Sequence, residues 1–293
     1  MVDNASTDDG AAFAEALLPT AIIARSETNL GLGGGCNIGL REATGDVVVF
    51  LNPDAMLTAQ AIDQLVGMLA EDDIGMVGPA IVTPSGAIEH SCRRWTTAPH
   101  AFIEHLPLAE RWSPTSLRRD LPPGSAIYRH GGRVAYVQGA CMALRADTLR
   151  AIGGFDEDFF LFGEEESIAL RLLSLRKFCV YVPQAQAIHV GGTSIRHIGT
   201  RQSFHLWRSN VLLMRKRGSR TRASLEILVT LAALAIAFPS LCSRTILRRT
   251  HELQLGSWLA AVEGVSAESA IPSHPPRTTV DIKRRFLGAL ITV

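Results

Sequence analysis

The run Asp46-Val47-Val48-Val49-Phe50-Leu51 sets five apolar residues in succession and then stops at Asn52-Pro53-Asp54. A continuous apolar stretch of this length, rather than an alternating one, belongs to a strand covered on both faces, as in the sheets of α/β proteins. Such sheets present ligand groups where their strands end, which puts Asp54 where a bound group would be met. The chain opens in the same manner. In Met1-Val2-Asp3-Asn4-Ala5-Ser6-Thr7-Asp8, carboxylates and small hydroxyls follow a short apolar start.

Helical and extended patterns alternate after that point. Ala21 to Ala24 is a short apolar run, and the glycines at 31 to 35 predict a loop of close backbone approach before a helix reaching about Thr44. Thr58 can cap a helix to about Ala70, with Ile62, Leu65, Val66 and Leu69 on one face. Ile74 to Val82 reads as the next strand. From Glu89 to His130, prolines and scattered arginines predict irregular structure. Strands are expected again at Tyr136 to Leu144 and at Phe178 to Val182, the latter stopped by Pro183. Between them lie a short helix, Ala146 to Ile152, closed by Gly153-Gly154, and a helix opening on Glu164-Glu165-Glu166 with Ile168, Leu172 and Leu175 on its buried face. This alternation predicts an α/β fold.

With 293 residues, 47% of them hydrophobic and 19% charged, the chain can bury one large domain with an appendage. The boundary is expected at 218, with a basic and apolar helical extension over 219–293. A net charge of +1 argues against nucleic acid as a partner. The distribution is uneven, acidic before Ser167 and basic after Arg196. Arg208, Arg215, Lys216, Arg217, Arg220 and Arg222 precede an apolar run from Ile227 to Leu241 that contains Pro239. That run is shorter than the roughly 20 residues of a membrane span, so the first expectation is a helix lying on an anionic membrane surface, with a buried domain helix and a true span as the alternatives. Five cysteines without a C-x-x-C pair fit a reduced, cytoplasmic chain, and no secretory signal is visible at the start.

The polar clusters admit two readings each. Asp54 could hold a divalent cation, since Mg²⁺ and Mn²⁺ favour oxygen ligands, or it could cap the next helix from an Asn-Pro-Asp turn. His189 could join it through a neutral ring nitrogen or serve a structural bond. The three glutamates could include a general base, or simply favour the positive end of their helix. Asp3 could hold sugar or base hydroxyls, or end a turn. The glycines do not form G-x-G-x-x-G after a strand, so a dinucleotide fingerprint is weak.

Order along the chain is more telling than any single cluster. Val2-Asp3-Asn4-x-Ser6-x-Asp8, then Asn29-x-Gly31-(x)5-Asn37-x-Gly39, Asn52-Pro53-Asp54, Gly153-Gly154-Phe155-Asp156-Glu157-x-Phe159-Phe160, Gly163-Glu164-Glu165 and His189-x-Gly191-Gly192-x-Ser194 together resemble the family 2 glycosyltransferases. Within that family the chain is similar to the bacterial rhamnosyltransferase-like branch that builds cell-wall linkers and surface polysaccharides. The resemblance covers about Val2 to Gly218. It implies a GT-A fold with a mixed, mainly parallel sheet flanked by helices, a nucleotide-diphospho-sugar donor, a divalent cation, and inverting transfer of a sugar, rhamnose for this branch, to a lipid-linked or polysaccharide acceptor. It also implies a cytoplasmic site at the inner face of the cell membrane.

Carried over by position, the resemblance assigns the donor to Asp3, Asn4, Ser6, Asn29, Gly34, Asn37 and Asp54. It assigns the metal to Asp54 and His189, the acceptor side to Gly154, Phe155, Asp156 and Glu157, and the base to Glu165 or its neighbour Glu164. Glu165 stands where the family has aspartate, Ser167 where it has a second aspartate, and Cys36 where asparagine is frequent. Family members also carry a strand, a helix and most of a second strand before the position of Val2. The alternative expectation is therefore a truncated, non-catalytic binding protein of the same fold.

Overall fold

The computed structural model describes residues 1–104, 118–122, 124–191 and 201–218, with the single positions Thr115, Ser224 and Leu228. The strands are β1 Val2–Asn4, β2 Ala24–Ser26, β3 Val47–Leu51, β4 Ala55–Leu57, β5 Ile74–Val82, β6 Cys92–Arg93, β7 Gly132–Val134, β8 Tyr136–Val137, β9 Cys141–Arg145 and β10 Phe178–His189. The helices are α1 Gly10–Leu17, α2 Gly31–Glu42, α3 Ala59–Met68, α4 Ala98–Glu104, α5 Ile127–His130, α6 Ala146–Ala151, α7 Glu164–Ser174 and α8 Arg201–Arg217.

The main sheet has the order β3-β9-β5-β10-β4, with β7 paired to β10. It is mixed, as expected, but its parallel share is smaller than the apolar runs suggested. β9 enters between β3 and β5 and runs antiparallel to both, leaving β5 with β10 as the parallel pair. Every residue of β5 is buried, and alternation along the strands sorts the core into two layers. Val77, Ala143, Val180 and Val182 face α3 through Ala61, Leu65 and Leu69. Met76, Leu144, Cys179 and Tyr181 face the opposite way, against Leu149, Ile168 and Leu172 of α6 and α7. Helices thus cover both faces of the sheet, and its ligand-bearing end is left to loops.

Several expectations meet the structure directly. β5 has the expected limits, and the Thr58 hydroxyl accepts the Ala61 N–H at 3.1 Å as the cap of α3. The face of α3 is rotated slightly, since Ala61 is buried and Val66 exposed. Leu175 is likewise exposed, because α7 has ended there. The strand expected over Tyr136 to Leu144 is broken into β8 and β9 at residues 138–140. Pro183 does not stop β10: the ladder shifts register between Val182 and Gln186 and continues to His189. A proline lacks only its own N–H, which a bulge leaves outside the ladder.

The glycine-rich stretch is helix, not loop, and its glycines are explained by contacts. Gly31 sits at φ +75°, where an added Cβ would lie 2.2 Å from the Phe160 carbonyl oxygen. Added Cβ atoms at Gly35 and Gly39 would press on Asn4 and Val2 at 3.3 and 3.2 Å. α2 is therefore a small-residue surface on which β1 and the 155–160 loop are seated.

The extension 219–293, and with it Ile227 to Leu241, lies outside the described residues apart from Ser224 and Leu228. Among the described residues no helix is long and apolar enough to cross a membrane. The described part of the basic run ties α8 to the domain. Arg208 donates to the Asp158 carbonyl, Arg217 to the Thr96 carbonyl, and Lys216 bridges Asp156 and Asp158 at 2.6 and 2.7 Å.

Candidate active site

Asp54 leaves the turn after β3, and His189 ends β10. Because β4 pairs antiparallel with β10, Ala55 lies opposite His189, and the Val190 N–H donates to the Asp54 carbonyl at 3.0 Å. His189 Nε2 consequently lies 3.3 Å from Asp54 Oδ1. Its Nδ1 lies 3.3 Å from Glu89 Oε2. The Asp54 carboxylate, opposed by burial and helped by Glu89, raises the imidazole above its ordinary pKa. Glu89 was not among the sequence candidates. It falls in the stretch read as irregular, and no local pattern marks it.

Asp54 and His189 offer one oxygen and one nitrogen donor, and among the described residues no group of three ligating side chains surrounds a metal position. A Mg²⁺ or Mn²⁺ ion keeps several waters and takes substrate phosphate oxygens, so a pair of protein ligands fits such an ion. A carboxylate on Nδ1 is the arrangement that fixes a ligating imidazole with Nε2 turned to the metal.

The three glutamates have separate fates at the start of α7. Glu166 is buried and accepts both the Thr96 N–H, at 2.8 Å, and the Thr96 hydroxyl, at 2.5 Å. Glu164 is completely buried, and neither of its oxygens finds a hydrogen-bond partner of good geometry. Burial first, and the charge of Glu165 second, push its carboxyl well above the usual range. Glu165 is partly exposed and accepts the Gly139 N–H at 2.8 Å. Of the three, Glu165 alone combines access with a fixed orientation.

The turn at residues 138–140 joins these groups. Gly139 holds Glu165, the Ala140 carbonyl accepts the Asn52 N–H at 3.0 Å two residues before Asp54, and the Gln138 N–H donates to the Ser91 carbonyl at 2.9 Å two residues after Glu89. A glycine inside a strand pattern is the sequence signal that could have revealed this turn.

The remaining candidates divide by what they touch. Asp3 accepts the Ser6 N–H at 2.9 Å, a bond that, ahead of Arg25, holds its carboxyl below the usual range. Ser6 and Asn29 are exposed. The Asn4 amide donates to the Asn29 side chain and the Gly31 carbonyl at 3.2 and 2.8 Å and accepts the Leu30 N–H at 2.9 Å, fastening the end of β1 to the start of α2. Gly34 is buried within α2. Asn37 is buried as well, and its amide donates to the Phe155 carbonyl at 2.9 Å and to Glu157 at 2.8 Å while accepting the Phe155 N–H at 2.8 Å. Both its donors are thereby engaged within the protein.

Gly154, at φ +72°, leaves room for that amide: a Cβ there would lie 2.6 Å from Asn37 Oδ1. The Phe155 ring is buried edge-on against Phe50, 4.9 Å between centroids, so it anchors the loop at residues 153–160 to β3. Asp156 accepts from Ser167 at 3.3 Å and from Lys216, a partner that the sequence did not single out.

Comparison with known proteins agrees with this geometry. The model of Glycosyl transferase family 2 matches residues 1–144, from β1 nearly to the end of β9. The N-acetylglucosaminyl-diphospho-decaprenol L-rhamnosyltransferase of Mycobacterium tuberculosis is 27% identical over 205 residues, 64% of this chain and 65% of that protein. The O-antigen biosynthesis protein RfbC of Myxococcus xanthus is 26% identical over 166 residues, 55% of this chain and 12% of that protein. The chain thus spans about two thirds of the first relative's length and a small part of the second's. Among solved structures, S. aureus TarS 1-349 in complex with UDP-GlcNAc superposes with a TM-score of 0.50 at 13% identity, covering 89% of this chain and 71% of that one, a likeness of fold. Motif order, sheet architecture and the match over residues 1–144 agree: the chain carries a glycosyl transferase family 2 domain over those residues.

Proposed function

We propose that the chain is an inverting glycosyltransferase that moves a sugar, rhamnose being the first to test, from a nucleotide-diphospho-sugar to a lipid-linked or polysaccharide acceptor in cell-envelope glycan synthesis. The observation that carries this reading is the meeting of Asp54, His189, Glu89 and Glu165 around the turn at residues 138–140. The rhamnosyltransferase relative supports the choice of sugar and of a diphospho-lipid acceptor.

In this mechanism Glu165 takes the proton from the acceptor hydroxyl. The new bond forms between that oxygen and the anomeric carbon while the bond from that carbon to the diphosphate breaks, and the nucleoside diphosphate departs from the opposite face. The Gly139 N–H fixes the base in place, which matters because a misplacement of about 1 Å can cost on the order of 100-fold in rate. Asp54 and His189 would hold the divalent cation, with Glu89 behind the imidazole. Such an ion, when bound, supplies charge neutralisation at the leaving diphosphate. Asp3, Asn4 and Ser6 border the nucleoside side, and Asp156 and Glu157 the acceptor side. Action at an anionic membrane surface rests on the basic positions from Arg220 onward, since Arg208, Lys216 and Arg217 are engaged within the domain.

The test is transfer from a panel of nucleotide-sugars with Mn²⁺ to a diphospho-lipid sugar acceptor. Glu165→Gln and Asp54→Ala are each expected to lower transfer by about 100-fold or more with folding retained. Metal-independent transfer that survives both substitutions would overturn the mechanism.

A further inference from the structure

The loop that links α6 to α7 is gripped from two sides. From α2, the Asn37 amide bonds the Phe155 N–H and carbonyl, and the Leu32 N–H donates to the Phe160 carbonyl at 2.9 Å. From α8, Arg208 donates to the Asp158 carbonyl, Ser209 Oγ donates to the Leu161 carbonyl at 2.9 Å, and the His205 ring stacks on Phe160 with centroids 4.8 Å apart. The apolar side of α8 is sunk into the domain through Trp207, Val211, Leu213 and Met214, so these polar groups reach the loop from an anchored helix.

Lys216 differs from Arg208 and Ser209 because it reaches carboxylates rather than the loop backbone. Its Nζ lies 2.6 Å from Asp156 Oδ2 and 2.7 Å from Asp158 Oδ2. The two carboxylates are not equivalent. Asp158 is 63% exposed, where an ion pair contributes little, whereas Asp156 is 14% exposed, and a carboxylate taken that far from water needs a charged partner. Arg171 adds positive charge near Asp156, but its Nε and Nη1 donate to the Ser167 and Ile152 carbonyls.

The bonding capacity of Asp156 is only partly used. A carboxylate offers about four acceptor positions. Ser167 Oγ and Lys216 Nζ lie 3.3 and 2.6 Å from Oδ2, and the Asp158 N–H reaches Oδ1 at 3.2 Å, which leaves Oδ1 able to accept a further donor. The Ser167 bond also ties this carboxylate to α7, the helix that carries Glu165, so a shift of Asp156 changes its place relative to the candidate base.

We infer that Lys216 is a positioning residue for the acceptor: it neutralises Asp156 and holds that carboxylate so that Oδ1 can accept a hydroxyl of the acceptor sugar. The inference rests on the glycosyltransferase reading above, in which Asp156 borders the acceptor side, and adds the residue that sets its carboxylate.

The experiment measures transfer and amide hydrogen exchange on the full chain and its Lys216→Gln, Lys216→Arg, Arg208→Gln, Asp158→Asn and Asp156→Asn variants, with an alkyl-diphospho-sugar as acceptor. Lys216→Gln should raise the acceptor KM about ten-fold, as loss of a charge-assisted bond to a mostly buried carboxylate implies, and leave donor KM and kcat within about three-fold of wild type. Lys216→Arg keeps the charge and should recover most of the loss. Asp158→Asn leaves the Asp156 pair intact and Arg208→Gln removes a backbone tie alone, so neither should move the acceptor KM by more than about three-fold, although Arg208→Gln should speed exchange at residues 155–161. Lys216→Gln added to Asp156→Asn should raise the KM no further than Asp156→Asn does, because both act through one contact.

An acceptor KM unchanged in Lys216→Gln, a donor KM that rises with it, an equal rise in Arg208→Gln, no recovery in Lys216→Arg, or additive effects in the double variant would overturn the positioning role. Absence of transfer with every donor would sink the glycosyltransferase reading, while hydrogen exchange would still judge the hold of Lys216 on the loop. Exchange at residues 155–161 is expected to be faster in Lys216→Gln than in wild type with β5 unchanged, and equal exchange in the two chains would overturn that hold.

Discussion

The two walls of the candidate site are built on different principles. The wall formed by β3, β5, β9, β10 and α7 is an apolar core, with Met76, Val77, Ala143, Leu144, Ile168 and Leu172 all fully buried. The wall formed by β1, β2 and α2 has strands of three residues, paired only with each other among the described residues, and neither strand holds a buried residue. Its cohesion comes from amide side chains and from glycines that permit backbone contact: Asn4 to Asn29 and Gly31, Asn37 to Phe155, Gly31 to Phe160. An apolar wall tolerates no water but many geometries of approach. An amide-and-glycine wall fixes a few backbone groups at hydrogen-bond distance, which suits the side that must meet a polar ligand.

The largest expected effect lies in the apolar wall. Leu144 packs in the layer with Met76, Ile168 and Leu172, and its truncation leaves a cavity beneath the sheet. Leu144→Ala should cost about 2–5 kcal/mol. Denaturant unfolding should show a lowered midpoint with an unchanged slope, the loss being shared by the whole domain. A loss confined to one segment by hydrogen exchange would break the contrast between the walls.

How legible each wall was in the sequence follows from the same contrast. The limits of β5 and the Thr58 cap were readable because an apolar run and a cap are properties of neighbouring residues. Asp54 was readable because it ends such a run. The glycines of α2 suggest a loop in the sequence because what requires them, Phe160 at Gly31 and Asn4 at Gly35, lies far away along the chain. The three glutamates could not be told apart, since Thr96 and Gly139 decide which is buried and which is held toward the site. Glu89 is hidden for that reason too: its place depends on the folding back of a stretch with no periodicity.

The amide wall should respond locally. Asn37→Ala removes the partner of the Phe155 N–H and carbonyl and leaves both backbone groups buried without their amide. The expected cost is about 1–3 kcal/mol. Amide hydrogen exchange should accelerate at residues 154–160 before it does in β5, and acceptor KM should rise more than donor KM. Uniform acceleration across β5 and the loop would show that the two walls open as one unit.

The smallest effect concerns Glu164, a carboxyl set inside the apolar wall. Burial raises the Glu164 carboxyl well above its ordinary value of 4.5. Between the unfolded and folded pKa values, the folded chain keeps a proton that the unfolded chain has released. Stability is therefore full below about pH 4.5 and falls as pH rises toward the folded pKa, by at most about 1.4 kcal/mol per pH unit for one group. Glu164→Gln mimics the protonated carboxyl at every pH, so the variant should lose this decline and melt higher than wild type at pH 8. An unchanged slope in Glu164→Gln would mean that the carboxyl is ionised within the apolar wall, and the division between an apolar and a polar wall would then fail at the helix that carries the base.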